Sequence, residues 1–222
     1  FEAAGVDKLI NHKGVLYLYA SEAAYQSGAA MNQLRRDNGV VLIDKNKDEV
    51  ADMEPHIKRV YQRGIHFPDA YQLLDPLEVV SQMAAVFEDE GGVIKAVAIE
   101  HISTAGDQVQ LRSEGQRFDA DKVVIAAGAW SKQFSDQLGD QIPLETERGY
   151  HVMYPGSASL LHRPVGWDEG GFYCVPMAQG LRVAGTVELG GLEAPENPRR
   201  TQMIDRNVRK LLPIAEAAGE TW

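Results

Sequence analysis

The chain has 222 residues, 44% of them hydrophobic, enough to bury a substantial core as one large domain or two smaller ones. Its 22 Lys and Arg stand against 32 Asp and Glu, and the net charge of -10 argues against a nucleic acid or an anionic membrane surface as the main partner. No apolar run approaches the roughly 20 residues of a membrane span, no basic region followed by an apolar one opens the chain, and a lone Cys174 excludes an internal disulfide, which fits a reducing compartment.

Ser21 precedes a predicted surface helix, Glu22 to Arg36, with Ala24, Met31 and Leu34 near one face and Asn38-Gly39 at its end. A second helix is better marked. Asp75 as N-cap, Pro76 at the first position and Glu78 three residues after the cap form a capping-box pattern, and Gly91-Gly92 is the stop. Leu77, Val80, Ala84 and Phe87 give this helix an apolar stripe expected to be buried. Val93 to Ile102, Gln108 to Arg112 and Lys122 to Ala127 are strand candidates, the first two separated by Thr104-Ala105-Gly106-Asp107.

The most informative stretch is Val123-Val-Ile-Ala-Ala-Gly-Ala-Trp-Ser131. Its β-branched run suits a strand covered on both faces, Gly128 removes a Cβ where a ligand would approach the backbone, and Ser131 is placed to cap a helix from Lys132 to Leu138. Amides at that helix start suit a nucleotide cofactor, and the same nine residues also suit an ordinary strand-turn-helix junction. From Glu147 onward the pattern becomes antiparallel: Arg148 to Tyr154, Gly171 to Pro176 and Leu181 to Leu189 read as strands, with Ala178-Gln179-Gly180 as a tight connection. Arg199 to Leu212 reads as a helix opened by Asn197 or Pro198 and limited by Pro213. The sequence therefore predicts an α/β (α+β) protein. Residues 75–139 form a compact unit, and 1–74 with 140–222 build a discontinuous second domain around an antiparallel sheet with flanking helices.

The six histidines lack i, i+4 metal spacing, and no Cys-x-x-Cys or His-Glu-x-x-His occurs, so no metal site is expected. Gly-x-Ser-x-Gly, Gly-x-Gly-x-x-Gly and Walker A patterns are absent as well. Alternation puts Phe172, Cys174 and Pro176 on one strand face and Tyr173 and Val175 on the other. Tyr173 suits a pocket wall, and equally a half-buried tyrosine hydrated at a sheet edge. Arg148, Tyr150 and His151 invite a binding-site reading that a solvated sheet face also explains.

Taken in order, these segments resemble the DAO-type flavoprotein oxidoreductases, the family of D-amino-acid oxidases and dehydrogenases and of glycine and sarcosine oxidases. Ala127-Gly-Ala-Trp130 is similar to the family's "A-G-x-W" or "T-G-x-W" turn, and Pro143-Leu-Glu-Thr-Glu-Arg-Gly-Tyr150 to its "P-x-x-P-x-R-G" entry into the substrate sheet. Phe172-Tyr-Cys-Val-Pro176, Val183-Ala-Gly-Thr186 and Glu188-Leu-Gly-Gly191 resemble its later hairpin, and Asn197-Pro-Arg-Arg200 a helix start of the bacterial D-amino-acid dehydrogenases. The resemblance implies FAD as cofactor, with residues 75–139 as a partial FAD-binding domain. Ile99 matches the strand position at the adenine end; Ala127, Gly128 and Trp130 match the turn along the cofactor. Tyr173 matches a tyrosine that hydrogen-bonds the substrate carboxylate.

The family's amino-terminal Gly-x-Gly-x-x-Gly and later Gly-x-Arg-Pro are absent, Phe1 is not an initiator methionine, and the chain runs out at Thr221-Trp222, so it reads as an excised fragment, inactive alone. The resemblance implies hydride transfer from the C–N carbon of an amino acid to flavin, in amino-acid catabolism. The alternatives are a relative acting on a 2-hydroxy acid, sarcosine or glycerol phosphate, and a non-catalytic binding module. Self-association through an exposed sheet edge at Val123 to Ala127 is expected. The expected location is the cytoplasm, or the periphery of the inner membrane for the full-length parent.

Overall fold

The computed structural model describes residues 4–216 and 219, and the sequence features at Phe1 and Thr221-Trp222 lie outside them. In chain order, β1 (Ile10–Asn11) and β2 (Val15–Tyr19) precede α1 (Glu22–Ser27), α2 (Ala29–Asp37), β3 (Ile43–Asn46) and α3 (Lys47–Met53). β4 (Arg63–Phe67), β5 (Gln72–Leu73), α4 (Pro76–Asp89), β6 (His101–Ala105), β7 (Gln108–Ser113), β8 (Gln116–Ala120) and α5 (Ser131–Leu138) follow. The chain continues with β9 (Arg148–Tyr154), β10 (Val165–Trp167), β11 (Phe172–Met177), β12 (Gly180–Glu188) and α6 (Pro198–Leu211). These elements form two units. The larger holds the described residues up to Glu90, Gly149–Val187, and the described residues from Glu196; the smaller holds Gly91–Arg148 and Glu188–Pro195.

The larger unit is built on a seven-stranded sheet in the order β3-β4-β2-β10-β11-β12-β9. It is antiparallel at β3-β4, β4-β2, β10-β11 and β11-β12, with a parallel pair where β10 lies against β2. Period-two alternation gives this sheet two different faces. Leu16, Leu18, Val165, Cys174, Leu181, Val183, Val152 and Tyr154 point to one side and are fully shielded from solvent. α6 lays Ile204, Val208 and Leu211 into the same core, at the i, i+4, i+7 spacing of one helix face. Tyr154 fixes the depth of that docking by donating to Asp205 at 2.7 Å, while Arg209 donates to both oxygens of the same carboxylate. The opposite face carries Tyr17, Phe67, Tyr173, Val175 and Arg182.

Local signals explain the helix starts. Ser21 accepts from the Ala24 amide at 3.1 Å and Asn197 from the Arg199 amide at 3.2 Å, with Pro198 at the first helical position of α6. The single helix expected over Glu22 to Arg36 is divided at Gly28, the weakest helix former in the run. At α4 the Asp75 carboxylate accepts from the Glu78 amide at 3.1 Å, but Glu78 itself accepts from Gln82 at 2.6 Å, so only half of the capping box forms. The stripe expected to be buried is also open: Leu77 is 76% exposed and Val80 63%. The start of α4 is tied to the large sheet, since Gln179 of the β11-β12 turn donates to Asp75 and the Ala178 amide to the Leu74 carbonyl at 2.9 Å. The unit boundary accordingly falls at Gly91, not at residue 75, and the smaller unit extends to Arg148, beyond residue 139.

In the smaller unit β6, β7 and β8 form an antiparallel meander. Gln137 of α5 clips onto its entry strand, accepting from the Ile102 amide at 2.8 Å and donating to the Glu100 carbonyl at 2.9 Å. Of the strand expected from Val93 to Ile102, only its end is paired, in β6. The segment Lys122 to Ala127 is not a paired strand, and it is not buried on both faces: Val124 is 88% exposed, while Val123, Ile125 and Ala127 are half-buried. Alternation therefore survives, but no strand of the described residues hydrogen-bonds to it. Ser131 is the first residue of α5 and makes no cap, because a 3-10 turn over Gly128–Trp130 feeds directly into the helix. No helix among the described residues is long and apolar enough to cross a membrane, and no group of three or more His, Cys, Asp or Glu among them is placed to hold a metal ion.

Candidate functional site

Tyr173 stands on the open face of the large sheet. β11 alternates as expected, with Phe172, Cys174 and Pro176 buried and Tyr173 39% exposed. Its register partners are Gly166 on β10 and Ala184 on β12, two small residues that leave the ring lying along the sheet. Glycine at 166 makes room for this ring: a Cβ there would meet Cε1 of Tyr173 at 2.8 Å and displace it. β10 in turn places Gly166 beside Tyr17, and the Tyr17 and Tyr173 rings meet edge to face with centroids 5.3 Å apart. Phe67 continues the row, 5.2 Å from Tyr17.

This aromatic pair separates two cavities. One, of about 210 Å³, is lined by Tyr17, Gly166, Asp168, Tyr173 and Thr186 among others. Thr186 has φ 60, a left-handed conformation that a β-branched residue adopts only under constraint, and its hydroxyl is enclosed without a hydrogen-bond partner among the described residues. The other cavity, of about 380 Å³, is lined by Val15, Tyr17, Arg35, Val40, Phe67, Ala70 and Tyr173. Arg35 from α2 covers its aromatic wall, with the guanidinium carbon 5.9 Å from the Tyr17 ring centre and 5.6 Å from that of Phe67. Burial holds the Tyr17 phenol above its ordinary pKa, Arg35 opposes the rise, and Tyr19 and Asp168 add to it. Tyr17 is therefore a neutral hydroxyl at physiological pH. Tyr173 has no hydrogen-bond partner for its hydroxyl among the described residues, so a donor stands open at the junction of the two cavities.

The other polar residues of the antiparallel strands divide between the faces. Tyr150 points into the core and its hydroxyl accepts from the Asn197 amide at 2.9 Å. Arg148 ion-pairs with Glu188 at 3.9 Å and donates to the Pro195 carbonyl at 3.1 Å, within the smaller unit. His151 lies on the open face, its Nδ1 3.4 Å from Nη2 of Arg182.

The smaller unit carries a separate apolar groove of about 360 Å³. Val97, Ile99, Ile102 and Leu111 form one side, with Val123 to Ala127 and Phe134 completing it. Of the residues expected at a cofactor, Ile99 and Ala127 are brought together here. Gly128 and Trp130 follow in the 3-10 turn, Trp130 being 56% exposed. Gly128 has φ 56 and open space where a Cβ would project, so its backbone is bare on that side.

Sequence comparison decides the family. The profile of DAO, the FAD dependent oxidoreductases, matches residues 1–222. The chain belongs to the DAO family of FAD-dependent oxidoreductases. A D-amino-acid oxidase from Bradyrhizobium diazoefficiens is 31% identical over 227 residues, covering 100% of this chain and 54% of the relative. A D-amino acid dehydrogenase from Paramagnetospirillum magneticum is 26% identical, covering 90% of the chain and 49% of the relative. The chain thus spans about half the length of the curated relatives it matches. Glycine oxidase from Geobacillus kaustophilus has the same fold over the whole chain, with a TM-score of 0.81 at 21% identity, and the chain covers 60% of it.

FAD is the cofactor of the DAO family, and the groove of the smaller unit fits part of such a group. Its walls are apolar, its unpaired segment ends in a glycine turn, and among the described residues nothing beyond the chain neighbours lies within 4 Å of where a Cβ of Gly128 would project. Tyr17, Phe67, Gly166, Thr186 and Arg35 escaped the sequence reading as site residues. The alternation of Val15-Leu-Tyr-Leu-Tyr19 was the available signal for Tyr17, whereas Arg35 is indistinguishable in sequence from its solvent-facing neighbour Arg36.

Proposed function

We propose that this chain supplies the substrate-binding sheet and part of the FAD site of an oxidoreductase that oxidises the C–N bond of an amino acid, in the manner of a D-amino-acid oxidase or dehydrogenase. The observation that carries this reading is the Tyr173 phenol, a hydroxyl without a partner among the described residues, set in an aromatic wall at the junction of two cavities. The 31% identity to a D-amino-acid oxidase supports the choice of substrate class. When bound, FAD supplies the two-electron acceptor for such an oxidation.

In this reading the Tyr173 hydroxyl donates to the substrate carboxylate, an anion that rewards a directional donor with a charge-assisted hydrogen bond. The edge of the Tyr17 ring and the absence of a side chain at Gly166 set the position of the phenol along the sheet. The carbon that reacts is the one bearing both the carboxylate and the amine. That carbon gives up its hydrogen with both electrons, the amine gives up a proton to solvent, and the resulting C=N bond is hydrolysed by water to a keto acid and ammonia. Ile99, Ala127, Gly128 and Trp130 would contact the cofactor through the groove of the smaller unit.

Anaerobic titration of the full-length, FAD-loaded protein tests the reading directly. D-amino acids are expected to bleach the flavin absorbance, with ammonia released once an acceptor is restored. Bleaching by 2-hydroxy acids or glycerol phosphate alone would replace the amino-acid assignment, and a protein that takes up no FAD would leave only a binding module.

A further inference from the structure

The larger of the two cavities beside Tyr173 contains a charge that no carboxylate among the described residues answers. Arg35 makes no ion pair among the described residues. Its one side-chain hydrogen bond runs from Nη1 to Asn32 Oδ1 at 2.8 Å, and Asn32 is itself buried and bonded to the Tyr19 hydroxyl at 3.3 Å. Its neighbour Arg36 behaves differently, pairing with Asp44 at 3.1 Å. Arg35 is thus held by a buried amide with the rest of its guanidinium donors unspent, over the rings of Tyr17 and Phe67. The remaining wall, from Val15, Val40 and Ala70, is apolar. A cavity with apolar sides, a phenol at one end and an uncompensated guanidinium over another wall suits a short chain carrying an anion at its tip.

We propose that this cavity takes the side chain of an acidic amino acid, with Arg35 donating to the distal carboxylate while Tyr173 holds the carboxylate next to the reacting carbon. The proposal rests on the amino-acid reading above and adds a specificity-determining residue to it. Cation-π contact alone leaves the charge of Arg35 in place but gives no directional bond to a substrate. Recognition of a side-chain carboxylate makes the acid and its isosteric amide behave differently, because the amide cannot accept two charge-assisted bonds from a guanidinium.

The test compares kcat/KM of the full-length, FAD-loaded protein for D-glutamate against D-glutamine and D-aspartate against D-asparagine, in the native protein, Arg35→Lys and Arg35→Leu. The native protein is expected to prefer each acid over its amide by about 10-fold or more. Arg35→Leu should abolish or reverse that preference, and Arg35→Lys should retain part of it. Equal losses for acid and amide, or a native protein that does not discriminate, overturn the proposal; near-UV circular dichroism of each variant separates misfolding from lost recognition. Calorimetric titration with glutarate, which has two carboxylates and no oxidisable C–N bond, gives an arm independent of turnover. Glutarate binding that weakens about 10-fold in Arg35→Leu, in a protein that oxidises no amino acid, supports the cavity and refutes the reaction. Amino-acid oxidation with no effect of Arg35 on glutarate binding or on the acid-to-amide ratio does the reverse.

Discussion

Gly166 and Tyr173 allow the position of the phenol to be varied separately from its presence. In Gly166→Ala the new Cβ would lie 2.8 Å from Cε1, 3.2 Å from Cδ1 and 3.3 Å from Cζ of Tyr173, so the ring must move by several tenths of an ångström. Overpacking of this kind costs about 1–3 kcal/mol in a closed core. Here the ring is 39% exposed and can swing outward, and replacing a strand glycine returns roughly 0.5–1 kcal/mol, so the net loss of stability should be about 1 kcal/mol or less. Function should suffer more, because a hydrogen bond set to a carboxylate does not survive such a displacement intact: kcat/KM should fall about 10-fold. Tyr173→Phe keeps the ring and removes only the hydroxyl, with a comparable or larger loss of kcat/KM and little change in Tm. The decisive measurement is the double variant. If Gly166→Ala acts through the phenol, it should cost almost nothing further in the Tyr173→Phe background. The same penalty in both backgrounds, or an unchanged kcat/KM in Tyr173→Phe, would refute the assignment of this hydroxyl to the substrate.

Gly128→Ala and Gly128→Met, neither branched at Cβ, compare backbone strain with steric exclusion at the turn proposed to face FAD. With φ 56 both cost roughly 1–2 kcal/mol, and among the described residues nothing beyond the chain neighbours lies within 4 Å of the new Cβ, so a further loss of bound flavin absorbance in the methionine variant points to the ligand side; equal flavin retention in the two would show that the turn does not face FAD. Glu54 is fully buried, accepts from Arg163 Nε at 2.8 Å and the His162 amide at 2.9 Å, and Glu54→Ala should lower stability by about 3 kcal/mol in denaturant titration. Burial lowers the pKa of His66, aided by Arg163 and Lys45 and opposed by its bond to the Lys13 carbonyl. The unfolded chain therefore binds a proton there first as pH falls, and this contribution to stability, complete above about pH 6.5, is lost as pH falls from there through the folded-state value. His66→Gln should flatten the fall in Tm between pH 7 and 5, and an unchanged slope would remove His66 as its source.

What was legible in the sequence followed from interactions between near neighbours. The Asn197-Pro198 start of α6, the Asp75 cap of α4 and the Ala178-Gln179 turn between β11 and β12 are each specified within three or four residues, and the structure forms them where the pattern puts them. The two faces of β11 were legible for the same reason, since alternation is a property of the strand and not of its surroundings. Burial is not local in this way. Val123 to Ala127 and the stripe of α4 are both apolar in sequence, yet Val124 and Leu77 are 88% and 76% exposed, because what covers an apolar side chain is decided by elements far along the chain. The central strands were missed for a related reason: β10 is three residues with a glycine in the middle, too short to show any period, and its place in the sheet is set by parallel pairing with β2, some 150 residues earlier.

The same distinction explains why the side chains that shape the site were harder to find than the one that faces it. Tyr173 is a polar aromatic in a recognisable strand, so sequence alone raises the question of its role. Gly166 has meaning only through the ring that β11 lays across it, and Arg35 only through the aromatic row that β2 and β4 assemble beneath it. Arg35 and Arg36 are adjacent and chemically identical, and α2 turns one toward Asp44 and the other over Tyr17. A helix rotates successive residues by about 100°, so a shift of α2 by one position would exchange them and put the free guanidinium on the wrong side of the wall. Asn32 prevents that shift: buried at i-3 from Arg35 and bonded to the Tyr19 hydroxyl, it locks the rotation of α2 against β2. The charge of the cavity is thus set by a residue that does not line it.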